Sequence, residues 1–147
     1  MAGRKQFSTF VVEGLLFGVE VEKVQEVIRY QEMTRVPLAP SVVRGLINLR
    51  GQIVTGLDMR RRLELKERDE KQLAMNVVVR HEDGAVSLLV DEIGEVLEVE
   101  EEAFEPPPET LNGRARELIL GVYKLQGRLL HVLDTDKALN PAGSGER

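Results

Sequence analysis

The chain has no cysteine and no tryptophan, and only four Phe and two Tyr in 147 residues. Without cysteine there is no disulfide framework and no thiolate metal site, a composition that fits a reducing compartment. Scarce aromatics argue against a single-strand nucleic-acid binder, which uses them as stacking platforms. A basic excess is missing as well. The 20 Lys+Arg against 25 Asp+Glu leave a formal charge of −5, where a general nucleic-acid binder needs a dominant cationic patch. Long apolar runs are also absent. Met1-Ala2-Gly3-Arg4-Lys5-Gln6-Phe7 leads into no signal-peptide core, and no stretch is long enough to span a bilayer. A soluble chain is expected, reaching a membrane only through a partner.

Catalytic equipment is equally thin. His81 sits by a predicted turn and His131 inside a predicted strand, with no helical spacing between them. Ser8, Ser41 and Ser87 lack a Gly-x-Ser-x-Gly context, and the span from Gly45 to Gly51 lacks the Gly-Lys-Ser/Thr ending of a phosphate loop. The chain reads as a non-enzyme with no cofactor, no metal and no small-molecule substrate.

What the sequence does hold is short β-branched and apolar runs separated by turn residues. Four hairpins are predicted: 7–12 with 15–21 around Glu13-Gly14, 46–49 with 52–57 around Arg50-Gly51, 76–80 with 85–90 around Glu82-Asp83-Gly84, and 120–125 with 128–133 around Gln126-Gly127. Short helices are predicted at 21–27, 41–44, 59–65 and 135–139, the last two entered by Asp58 and Asp134 as N-caps. The segment 64–73 reads as a linker and 140–147 as a disordered tail.

An internal repeat organises these elements. Gly45–Leu63 aligns without gaps on Gly121–Leu139, a constant offset of 76 (121 − 45). Gly51 then meets Gly127, and Leu57-Asp58 meets Leu133-Asp134. Upstream, Val24 aligns with Ile93, and Glu26-Val27 with Glu95-Val96. The approximate repeats are 7–65 and 74–139 within one domain, 1–147. The fold class is mainly β, with two small lobes of about five strands each, curling toward barrels that hide strand edges.

Charge is unevenly spread. Asp91, Glu92, Glu95, Glu98, Glu100, Glu101, Glu102, Glu105 and Glu109 form an acidic stretch, while Arg44, Arg50, Arg60, Arg61, Arg62, Lys66 and Arg68 gather in the first half. Both read as solvated faces or as docking faces for partners of opposite charge. The acidic stretch motivates an alternative function, a small-ligand or metal sensor using the inter-lobe cleft. Arg50 stands out at a hairpin tip where the other repeat carries Gln126, either as a polar turn residue or as a binding residue. Gly51 is expected to take positive φ there.

The run Gly45-Leu46-Ile47-Asn48-Leu49-Arg50-Gly51-Gln52-Ile53-Val54, ending at Leu57-Asp58-Met59-Arg60, resembles the signature of the CheW coupling-protein family. Lys23-Val24-Gln25-Glu26-Val27, Thr34-Arg35-Val36-Pro37 and Leu89-Val90-Asp91-Glu92-Ile93-Gly94-Glu95-Val96-Leu97 match it in order. The resemblance implies two five-stranded β-barrel lobes around a shared hydrophobic core. It also implies a cytoplasmic chemotaxis adaptor, recruited to membrane-associated receptor arrays. Its partners there are the regulatory domain of the histidine kinase CheA and the cytoplasmic tip of chemoreceptors. Carried over by position, the receptor-facing residues are Val24, Glu26, Gly45 and Arg50, with apolar neighbours Val27, Val36 and Val96. The kinase contact is expected on strand edges and turns of the first lobe, without single residues. Thr55-Gly56 departs from the family pattern, and Gly56 is expected to loosen its strand.

Overall fold

The computed structural model describes residues 3–69, 71–82, 84–111 and 113–140. They form ten strands: β1 Arg4–Val12, β2 Leu15–Glu20, β3 Val24–Ile28, β4 Val43–Leu49, β5 Gln52–Asp58, β6 Met75–His81, β7 Gly84–Val90, β8 Glu92–Glu100, β9 Ile119–Leu125 and β10 Arg128–Leu133. Three short helices join them: α1 Met59–Arg62, α2 Gly113–Glu117 and α3 Thr135–Ala138. All four expected hairpins are present. The N-cap aspartates also act as expected. The Asp58 side chain accepts from the Arg60 and Arg61 amides, and Asp134 from the Lys137 amide. The expected tail lies, beyond Asn140, outside the described residues.

Two expected helices are strands instead. Segment 21–27 makes one 3₁₀ turn, Val21–Lys23, and then becomes β3. Val24, Val27 and Ile28 are branched side chains that pack better on a pleated surface beside β6 than on a helix. At 41–44 a turn closed by the Val43 amide on the Pro40 carbonyl (2.9 Å) leads straight into β4. The acidic stretch contributes the nine-residue strand β8.

The strands form two five-stranded sheets, ordered β8-β1-β2-β10-β9 and β3-β6-β7-β5-β4. We call the first the terminal lobe and the second the central lobe. Exchanging β1–β5 with β6–β10 turns one order into the other, parallel pairs β2–β10 and β5–β7 included. The lobes are not the sequence halves, however. Each half gives its first hairpin to one sheet and its remaining three strands to the other. The strand count is as expected, but the hydrogen-bonded ladders stay open: none joins β8 to β9 or β3 to β4 among the described residues.

The interweaving dictates the core. In β1, Phe7 faces a small cluster inside the terminal lobe with Leu16, Tyr123 and Leu130, while Phe10 and Val12 face a large cluster shared by both sheets. In β6, Val78 faces the cluster inside the central lobe, and Val77 and Val79 the shared one. Strands buried on both faces explain the continuous apolar runs. Each such side chain contributes about 1.5–3 kcal/mol relative to exposure.

Candidate partner-binding site

The edge strand β3 carries three of the singled-out residues. Its register against β6 runs Val24 to Val79, then Glu26 to Val78, so Gln25 is the extra residue of a bulge. A regular strand would send Gln25 and Glu26 to opposite faces; the bulge lets both reach the tip of the β4–β5 hairpin. Gln25 Nε2 donates to Gln52 Oε1 at 3.1 Å, and Glu26 pairs with Arg50. These side chains bridge β3 to the hairpin where the backbone ladder stays open.

Arg50 is presented by the turn itself. Arg50 and Gly51 both have positive φ, 51° and 91°, the two-residue turn that matches strand twist. Asn48 Oδ1 accepts from the Gly51 amide at 2.9 Å. A non-glycine residue in the left-handed region costs about 1–2 kcal/mol. The Arg50 side chain is 72% exposed, whereas Glu26 is 20% exposed. In the other repeat the equivalent residues are Glu95 and Gln126, so no such pair forms there.

The remaining expected residues are distributed differently. Val24 is half-buried against the shared core. Val27 is exposed, yet lies opposite Val77 on the face that looks toward that core. Val96 is 57% exposed on β8 of the terminal lobe, opposite Ser8. Val36 is exposed on the 29–42 segment and lines a separate cavity.

Gly45 is buried and presents nothing outward. A Cβ there would sit 2.6 Å from the Thr34 carbonyl oxygen and 2.9 Å from Met33 Cβ. The bare backbone lets residues 33 and 34 cross β4, where the Thr34 amide donates to Leu46 O at 2.9 Å and the Leu46 amide to Thr34 O at 2.8 Å. Gly56 lies directly opposite Gly45, and a Cβ on it would meet Met33 Sδ at 3.1 Å. The departure at Gly56 therefore makes room for Met33. The arrangement recurs at Gly121, crossed by Phe104 and Glu105.

The basic group of the first half is divided: Arg60, Arg62 and Arg68 are internal, whereas Arg44, Arg50 and Lys66 are exposed. Arg60 grips Asp91 with Nε 3.1 Å from both oxygens and Nη2 2.6 Å from Oδ2, and Arg68 Nε donates to Asp91 Oδ1 at 3.1 Å. The Glu13 amide donates to Asp91 Oδ2 at 2.7 Å. Burial alone would raise the Asp91 carboxyl, but the Arg60 hydrogen bonds, the Glu13 amide and Arg68 outweigh it and hold it below the usual carboxylate range. This clamp and the Lys66 amide bound to Glu13 Oε1 (3.1 Å) pin the predicted linker to the body. Sequence reasoning missed it because the partners lie 31 and 23 residues apart.

Of the acidic stretch, Asp91 is consumed in the clamp and the glutamates are spread along β8 and beyond. No three His, Asp or Glu side chains converge on a metal-sized site among the described residues. His131 is buried, with Nδ1 2.8 Å from the Leu16 carbonyl and its ring against Phe17. Because a carbonyl only accepts, Nδ1 carries the proton. A cavity of about 750 Å³ opens between the 30–44 and 67–74 segments of the central lobe, not between the lobes. No helix among the described residues is long and apolar enough to cross a membrane.

Residues 6–142 match the model of the CheW-like domain. The chain is 30% identical over 136 residues to the chemotaxis protein CheW of Treponema pallidum, covering 90% of this chain and 80% of that one. It is also 30% identical to the chemotaxis protein CheW of Bacillus subtilis, covering 92% and 86%. The crystal structure of scaffolding protein TtCheW from Thermoanaerobacter tengcongensis superposes with a TM-score of 0.80 at 25% identity, covering 89% of each chain.

Proposed function

Because this chain belongs to the CheW-like family, we propose that it is a non-enzymatic chemotaxis adaptor coupling the cytoplasmic tips of chemoreceptors to a CheA-type histidine kinase. The observation that carries the reading is the Glu26–Arg50 pair, held at the open edge of the central lobe beside the exposed Val27. A receptor tip is an amphipathic helical bundle, which docks by laying an apolar stripe on apolar side chains. Val27 offers the apolar contact, and the two charges fix register at its rim. Val24 anchors β3 on the shared core, and Gly45 lets residues 33 and 34 cross β4. Val96 holds on β8 the place that Val27 holds on β3, and Val36 is the outlying apolar neighbour. Such contacts are modest singly, and a cytoplasmic array multiplies them.

Calorimetry against the CheA-type regulatory domain of the same genome should show saturable one-to-one binding. Sedimentation with receptor-bearing membranes should carry down the chain but leave Arg50→Glu in the supernatant. Failure of the folded chain to bind either partner removes the adaptor reading; equal sedimentation of the variant removes only Arg50 from the receptor contact.

A further inference from the structure

The cavity beside the central lobe has a charge imbalance that neither the fold nor the adaptor reading uses. Six charged side chains line it, Arg35, Arg44, Arg61 and Arg68 against Glu67 and Asp69. With Asp58 behind them the wall keeps an excess of one positive charge in a chain of formal charge −5. The nearby carboxylates are already committed. Asp69 Oδ1 accepts from the Lys71 amide at 2.9 Å. Behind the wall, Asp58 Oδ1 caps α1 through the Arg60 and Arg61 amides at 3.0 and 3.4 Å.

Asp58 Oδ2 is left facing three guanidinium groups, Arg44 at 3.4 Å, Arg61 at 3.8 Å and Arg68 at 3.9 Å. None reaches the charge-assisted range of about 2.7–2.9 Å. Arg61 Nε is buried without a hydrogen-bond partner. Arg35 is exposed, with no ion pair among the described residues. Cations gathered at a low-dielectric wall with too few carboxylates favour a further anion.

We propose that this cavity binds a small organic phosphate. Its phosphate oxygens lie on the exposed guanidinium groups of Arg35 and Arg44, and its organic part lies against Val36, Pro37 and Leu73 of the same wall. Beside them is Arg61, whose Nη1 donates to the Ser41 carbonyl at 2.8 Å and whose Nη2 faces Glu67 Oε1 at 3.5 Å. The cationic wall favours an anion, and the planar arginine fork matches phosphate oxygens. The volume, about 750 Å³, falls within the range of small-molecule sites, about 300–1,000 Å³. Arg68, 5% exposed and bound to Asp91, holds the back of the site without touching the ligand.

The test is calorimetric titration of the full chain with adenosine monophosphate, inorganic phosphate and succinate at one ionic strength. Adenosine monophosphate should bind one-to-one with Kd of about 1 mM or below, inorganic phosphate more weakly and succinate more weakly still. Arg35→Gln and Arg44→Gln, both at exposed side chains, should each weaken it about tenfold with unchanged circular dichroism. No saturable heat with either phosphate overturns the proposal. So does binding indifferent to both substitutions, or succinate binding tighter than phosphate.

Discussion

Arg62 Nε donates to the carbonyl of Ala138 at 3.1 Å, although the two residues occupy equivalent places in the two repeats. Its Nη2 reaches the Lys137 carbonyl at 2.6 Å. A nearly buried guanidinium thus takes up carbonyls at the end of α3, which an isolated helix leaves unpaired. The contact ties the end of one repeat to the end of the other.

Arg62→Ala should therefore destabilise the protein by about 1.5–3 kcal/mol, the range for hydrogen bonds to a charged group. Urea midpoints of the two proteins measure it. A loss within about 0.5 kcal/mol, the size of an ordinary surface change, would mean that water replaces the guanidinium without cost.

Asp91 should make stability depend on acid. Its folded pKa is depressed, so its contribution is fully present above the unfolded value near about 4 and is lost as pH falls through the folded value. Asp91→Asn should cost about 3–5 kcal/mol at neutral pH, because two arginines lose their carboxylate. It should also flatten the wild-type decline below about pH 4. Equal decline in both proteins would assign the acid sensitivity to other carboxylates.

Gly45→Ala and Gly84→Ala should part company. The first forces a Cβ within 2.6 Å of the Thr34 carbonyl, while nothing lies within 4 Å of the second. Gly45→Ala should cost about 1–3 kcal/mol as the crossing segment is pushed off β4. Gly84→Ala should be neutral or stabilising by up to about 1 kcal/mol. Thermal melts of the pair compare them directly; similar melting temperatures would remove the crossing from the list of features Gly45 serves.

Arg50→Gly should separate stability from binding. It relieves a left-handed non-glycine residue, worth about 1–2 kcal/mol, and forfeits an exposed ion pair worth little. Melting temperature should hold or rise while sedimentation with receptor-bearing membranes falls. A fall in melting temperature would show the Glu26 pair to be structural.

Local chemistry in the sequence determined the pieces. Alternating apolar residues, two-residue turns such as Glu13-Gly14 and Arg50-Gly51, and aspartate caps act between neighbours in the chain, so all four hairpins and both capped helices were legible. The repeat and the family resemblance likewise picked out Arg50 and Glu26. The strand identity of 24–28 was hidden because a short apolar run gives no decisive period, and pairing with β6 settles it. Tertiary structure alone decided that the halves interweave, since burying both faces of β1 and β6 needs partners from the other repeat. It alone decided that Gly45 is a crossing point and that Arg60, Arg62 and Arg68 are internal. A long cationic side chain reads as solvated until a distant carboxylate or helix end is folded against it.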